Sequence, residues 1–363
     1  MLLVPLVTAS PDWLGGLMRG GGASSGRGEF RPVYHPAGHD AELRVALEEV
    51  GTGRWMAMRD LLARTGTQWP LRTSRSQVLA AAAARSGVVQ AWLVEEPGSV
   101  DAQVMRARVA VERALHAGRA GHGSTEALAW EAREASLIAA DLARADPVPW
   151  VCLLALAQLD RGLRRVEHRV RPTEPMLPLG PWRLLDQVNA RDPCSREAYH
   201  RVLQFLHAQA VGSQAVALDF ARWVGSWAPA GTALSVLPLY AYAENYRSQR
   251  ARGAEDRLMR RQWAQEPIVL DVQRALTGWF HHPVPAARSV LDLNYLAHAL
   301  WAAHQFTDAA EVFTALGPYA ARLPWAYVTD DPGRPDLAEA EFVRARGQAL
   351  AATEDAARAG PHR

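Results

Sequence analysis

Arginine is the residue type through which this sequence has most scope for chemistry. Arg161, Arg164, Arg165, Arg169 and Arg171, with His168, form one cluster; Arg247, Arg250, Arg252, Arg257, Arg260 and Arg261 form a second, beside Tyr246 and Trp263. A guanidinium is a planar fork of donors that matches a carboxylate or phosphate and stacks on aromatic rings. Arg161, Arg164, Arg165, Arg247, Arg250, Arg257, Arg260, Arg261 and Trp263 are therefore the candidate partner-binding residues. They suit an acidic or extended segment of another protein first, and a nucleic-acid backbone second. Glu167, Glu255, Asp256 and Glu266 lie among them, so a solvated, partly neutralised face is the ordinary alternative.

The other reactive residue types lack the context that chemistry needs. Gly22-Ala23-Ser24-Ser25-Gly26 matches the G-x-S-x-G nucleophile pattern, which works only between a buried strand and a helix, and no strand pattern precedes it. His35 and His39 are separated by Pro36 and Gly38, which predict a turn, and two histidines fall short of a metal's three or four ligands. His298 and His304 have no carboxylate or cysteine at ligand spacing and read as packing or turn residues. Asp330-Asp331 runs into Pro332-Gly333 and reads as a turn. The only cysteines, Cys152 and Cys194, fall in apolar, helix-like segments and read as buried hydrophobes in a reducing cytoplasm.

The sequence contains no lysine, so all 40 of its Lys+Arg residues are arginine. Schiff-base, pyridoxal-phosphate, Walker-type and kinase lysines are thereby excluded. No catalytic or metal-ligating residue is assigned, no cofactor is implied, and a non-enzymatic protein is expected. An enzyme with a pocket between two helical halves, near Pro172 to Trp182, is the third alternative, because a constellation drawn from separate helices leaves no local signature.

The elements that would position these residues are helical throughout. Of the 363 residues, 49% are hydrophobic, enough for a sizeable core, and nothing alternates with period two for long enough to make a sheet. Apolar stripes with helical spacing recur at Leu43, Val45, Ala46, Leu47 and Val50, at Trp55, Met58, Leu61 and Leu62, and from Ala102 to Leu115. Val151 to Leu163 is almost wholly apolar and reads as the most buried helix. Asp40 is placed to cap the first of these helices, and Glu96-Pro97, Asp146-Pro147, Asp192-Pro193, Glu266-Pro267 and Asp331-Pro332 punctuate the chain. Many of the 13 tryptophans sit in helical segments, where large rings fill contacts between helices.

One stretch carries a resemblance. Leu293, Leu296, Ala297 and Leu300 mark one apolar helical face, His304-Gln305 makes a bend, and Phe306, Ala309, Phe313 and Leu316 mark the facing helix. This resembles a tetratricopeptide hairpin, with Ala297 as the small residue of its first helix, Ala309 as the crossing alanine and His304 at the turn glycine. The chain from Ala41 to Leu350 resembles tetratricopeptide-like proteins of high-GC actinobacteria. The resemblance implies an all-α, tetratricopeptide-like α-solenoid of antiparallel helix hairpins that binds a partner on its concave face.

The expected organisation is a flexible leader over 1–30, an N-terminal helical half over 31–171, an extended Pro-rich crossing over 172–181, a C-terminal half over 182–350 and a frayed tail over 351–363. Residues from Asp336 to Ala359 read as a solvated capping helix touching the rest through Leu337, Phe342 and Leu350. A formal charge of +2 supplies no global field towards DNA or a membrane, and no run approaches the ~18 apolar residues of a bilayer span. The expected partner is a protein or peptide, acidic in character, with nucleic acid second and no membrane, in the cytoplasm.

Overall fold

A computed structural model of the chain describes residues 30–209, 213–253, 262–283 and 288–358. The fold is all-α: among these residues there is no strand, only isolated bridges pairing Val33 with Tyr319 and Val170 with Gly180. The described residues fall into two compact units, one over 39–217 and one over 218–358 with 30–38.

The first unit begins with α1 (Ala41–Gly51), α2 (Met56–Thr65), α3 (Trp69–Ala83) and α4 (Val88–Glu95). Asp40 caps α1 as expected, its Oδ1 accepting from the Leu43 N–H at 2.9 Å. The long hairpin of α5 (Val100–Arg119) and α6 (Thr125–Leu142) follows, and α7 (Val148–Leu156) packs against it. Ala107, Ala114, Ala132, Ala135 and Ala139 line that seam with Val104, Val111 and Cys152, all buried. Small side chains there let the helix backbones approach closely, and one extra methylene would be felt. The unit continues with α8 (Trp182–Asn189) and α9 (Arg196–Ala208).

Buried charges link these helices. Arg108 of α5, 1% exposed, donates through both Nη atoms to Glu197 of α9 at 2.7 Å each, and also to the Thr73 carbonyl of α3 at 3.2 Å. Arg201 donates to the same carboxylate at 2.8 Å. Arg72 of α3 donates to Asp146 at 2.7 Å and to Asp101 at 2.5 Å. Asp146, one residue before the α7 N-cap Pro147, also accepts from the Val148 N–H at 2.8 Å, so the Asp146-Pro147 punctuation fixes the entry of α7 and anchors Arg72.

Several local expectations are corrected. The apolar helix stops at Leu156 and passes through a single tight turn, Ala157–Leu159, so it does not reach Leu163. Residues 171–179 form a loop whose ends close on each other, with Val170 and Gly180 exchanging both backbone hydrogen bonds at 3.0 Å; they are not an extended crossing. Cys152 is fully buried, which pushes its thiol up to about 12, but Cys194 is half-buried in a turn with φ 63° and is not helical.

The second unit contains α10 (Ser213–Trp227), within which the division between units falls, then α11 (Leu237–Ala251), α12 (Ile268–Ala275), α13 (Val290–Ala302), α14 (Phe306–Leu316) and α15 (Pro335–Arg358). The α13–α14 hairpin forms where the apolar pattern placed it. Ala297 and Ala309 are fully buried, and His304 takes a left-handed conformation, φ 60°, at the position where the repeat pattern calls for glycine. An aromatic interior surrounds it: Trp325 stands 5.9 Å from Phe313 and 5.5 Å from Phe342, centroid to centroid. Helix α15 is not merely a solvated cap. Ala338, Phe342, Ala345 and Ala349 are buried on one face, whereas Leu337 and Leu350 are half-buried. No single helix among the described residues is long and apolar enough to cross a membrane.

Candidate functional site

The arginine candidates separate on inspection of their surroundings. Arg247 is ion-paired with Glu244 three residues earlier, its Nε donating at 3.0 Å, and its side chain is 17% exposed. Arg250 donates to the carbonyls of Tyr327 at 2.9 Å and Thr329 at 2.7 Å, fastening α11 to the segment before α15. Trp263 is buried, edge-on to His298 with centroids 5.3 Å apart. These three serve the interior of the second unit. Arg257, Arg260 and Arg261 lie outside the described residues. Arg161 is exposed on the turn after α7, and Arg164 and Arg165 reach a cavity.

That cavity, of about 630 Å³, lies within the first unit. Ala129, Arg133 and Leu137 of α6 form one wall, and Trp150, Leu153 and Leu156 of α7 form the floor. Leu184 of α8 closes one side, and the turn from Leu159 to His168 supplies the polar rim. The floor is apolar because α7 carries apolar residues on every face, so whichever side is not packed on α5 and α6 still presents leucine and tryptophan.

Asp160 organises the rim. Its carboxylate accepts from the backbone N–H groups of Arg164 and Arg165, each at 2.9 Å, and its Oδ2 lies 3.0 Å from His168 Nδ1. Leu163 adopts φ 49° to make the turn this tight. Burial opposes ionisation of Asp160, but the N–H groups of Arg165 and Arg164, with the His168 ring, outweigh it and hold the carboxyl below its usual range. His168 is 3% exposed, and burial depresses its basicity more than Asp160 restores it. A carboxylate only accepts, so Nδ1 carries the hydrogen of the neutral ring and Nε2 carries the lone pair.

The rim is bipolar. Arg133 donates to Glu167 at 3.0 Å, and Arg164 lies 3.5 Å from Glu126 with both side chains largely exposed. Exposed pairs of this kind are weak and exchange readily with a ligand's charge. Arg165 lies over the ring of Trp130, 5.5 Å from its centroid, and makes no ion pair among the described residues. Trp130 itself is 56% exposed, an apolar shelf beside the mouth.

Asp160 escaped the sequence reading altogether, since an aspartate eight residues before a histidine has no recognised spacing and only the fold of the turn brings them together. His35 does sit in a turn, its Nδ1 accepting from the Ala37 N–H at 3.2 Å. Among the described residues no three or more His, Cys, Asp or Glu side chains are grouped to hold a metal ion. No family model, curated protein or solved structure matches the chain.

Proposed function

We propose that this is a recognition protein whose first unit takes up a segment of a partner protein in the α6–α7 cavity, an apolar side chain entering over Leu153 and Trp150 and an acidic group meeting Arg164 and Arg165. The observation that carries the reading is the combination of an apolar floor with two arginines at the mouth, one weakly paired and one unpaired among the described residues. Its volume falls within the few hundred to ~1,000 Å³ of pockets that hold compact ligands or anchor side chains. The tetratricopeptide-type solenoid, its kinship with actinobacterial relatives, a scaffold role and a cytoplasmic setting belong to the same proposal. The α13–α14 hairpin, with its buried Ala297 and Ala309, supports the repeat reading.

A peptide array that varies one large apolar residue and its acidic flank tests this by fluorescence anisotropy. Peptides joining Leu or Phe to Asp or Glu are expected to bind, and their Lys-flanked counterparts to bind at least tenfold more weakly. The double variant Arg164→Glu/Arg165→Glu is expected to reverse that preference, and Ala129→Phe, which fills the cavity, to abolish binding. Affinity unaffected by either variant removes the cavity from the function.

A further inference from the structure

Uptake of a partner segment leaves the Asp160–His168 pair in the cavity wall without a role. Fastening the turn does not require the imidazole, because Asp160 already holds both backbone N–H groups of Arg164 and Arg165 at 2.9 Å. A buried imidazole is expensive to desolvate unless its polar atoms do something, and an apolar residue at 168 would pack without that penalty. The ring instead lines the cavity, one nitrogen fixed by a carboxylate that is itself fixed by backbone donors. This is the arrangement by which an oriented imidazole serves as a base: the orienting acid sets the tautomer, and the opposite nitrogen meets the substrate.

The other cavity residues narrow the chemistry. Thr125 carries the only hydroxyl in the lining, and it already donates to the His122 carbonyl at 2.6 Å; no serine or cysteine lines the cavity. Water is therefore the nucleophile that the base would serve. Arg164 and Arg165 border the same cavity and are cationic donors of the kind that stabilise a carbonyl oxygen gaining negative charge, and the leucines of the lining suit an acyl chain. Glu126 and Glu167 at the rim disfavour a phosphate dianion, and with a single base and no covalent nucleophile an ester, whose alcohol leaves readily, is a less demanding substrate than an amide.

We propose that the α6–α7 cavity is also a hydrolytic site for carboxylic esters with an apolar acyl chain, in which His168 is the general base that activates water and Asp160 is its positioning residue. His168 Nε2 takes a proton from water as the water oxygen bonds to the carbonyl carbon. The carbonyl π pair moves onto its oxygen, beside the guanidinium groups. Collapse restores the C=O bond and breaks the bond to the alcohol oxygen, which receives the proton from Nε2. Ester and water become carboxylic acid and alcohol, and the ring returns to its neutral state. The inference rests on the reading of this cavity as a ligand site.

The test uses the full-length protein with p-nitrophenyl butyrate, alongside anisotropy of an array peptide on the same preparation. Saturable hydrolysis above the buffer rate is expected, with kcat/KM rising from acid pH to a plateau through one ionisation below the ordinary histidine value, because burial depresses His168. His168→Gln is expected to lower kcat about 100-fold or more while KM changes less than about threefold, within the usual range for loss of a general base. Asp160→Asn is expected to lower kcat and distort the pH profile. Thermal melting and far-UV circular dichroism of His168→Gln, matching the parent protein, confirm that the variant is folded. No saturable hydrolysis, or hydrolysis that survives in His168→Gln, overturns the proposal. Peptide binding without hydrolysis sinks the catalytic inference alone, and hydrolysis without peptide binding sinks the partner reading alone.

Discussion

The two units solve the same problem, satisfying polar groups inside a helical core, by different chemistry. In the first, arginines deep between helices meet carboxylates: Arg108 with Glu197, and Arg72 with Asp101 and Asp146. In the second, aromatic donors do much of that work. Tyr240 donates to Asp292 at 2.6 Å, Tyr242 to Asp271 at 2.7 Å, and the Trp325 indole N–H to Asn294 at 2.9 Å. The difference is one of tolerance. An ion pair that loses one member leaves a full charge stranded in a medium that solvates it poorly, whereas the loss of a phenol or indole donor leaves an acceptor that can keep another partner, as Asp271 keeps Arg274.

The sharpest way to break that contrast is at Arg108. Arg108→Met leaves Glu197 fully buried with only Arg201 as a close partner, and the expected loss is about 3–5 kcal/mol in urea unfolding. Arg108→Met/Glu197→Met removes both charges but leaves the buried Arg201 with Glu112 at 3.6 Å, so it is expected to recover part of the loss, and Arg201→Met added to it to recover most of the rest. If the double variant is no better than the single one, the pair is not held by mutual charge, and the distinction between the units collapses.

His298 gives the next effect, through pH. It lies fully buried among Trp263, Trp301 and Trp325, neither ring nitrogen has a hydrogen-bond partner among the described residues, and burial pulls its pKa down to about 3. In the unfolded chain the ring binds a proton near pH 6.5, so the unfolded state binds more protons over the window between 6.5 and 3. Stability is complete above that window and falls as pH drops through it, by up to about 1.4 kcal/mol per pH unit from this residue. His298→Phe, which keeps a ring in the cage, is expected to flatten that part of the profile. An unchanged acid slope in the variant assigns the sensitivity to other groups.

At the gentle end of the comparison stands Tyr242→Phe. Asp271 keeps Arg274 at 2.7 Å, so removing the phenol is expected to cost about 1.5–2 kcal/mol, the lower end for one hydrogen bond to a charged group. A loss as large as that at Arg108 makes the aromatic interior as intolerant as the charged one.

These contrasts mark what was legible in the sequence. The hairpin over Leu293–Pro318 and the cap at Asp40 were readable because each is decided by residues within a turn or two of one another. The buried arginines were not. Arg108 interrupts an apolar stripe as a solvated residue would, and its partner is 89 residues away. Clustering was an equally poor guide, since Arg247 and Arg250 turn inward while Arg164 and Arg165 reach a cavity. The buried face of α15 escaped because three of its four residues are alanines, which fill helix surfaces and helix seams alike. The cavity draws on three helices and a turn, and no window of sequence contains it.

The smallest effect bears on the one place where sequence pattern and backbone meet most closely. His304 ends α13 at φ 60°, a region where a Cβ crowds the neighbouring backbone and glycine does not. Its ring meets Phe306 edge-on at 5.7 Å, a contact that offsets part of the strain. His304→Gly is expected to relieve about 1 kcal/mol of backbone crowding and to lose about half of that in the ring contact and in the greater freedom of the unfolded chain. The expected outcome is a gain of roughly 0.5 kcal/mol, read as a small rise in melting temperature with the helical content unchanged. His304→Ala separates the two contributions, since it removes the ring and keeps the Cβ, and it should be less stable than both. If alanine equals glycine there, the turn is not held by its left-handed residue, and the correspondence between this hairpin and the repeat pattern is one of side-chain spacing without the backbone geometry beneath it.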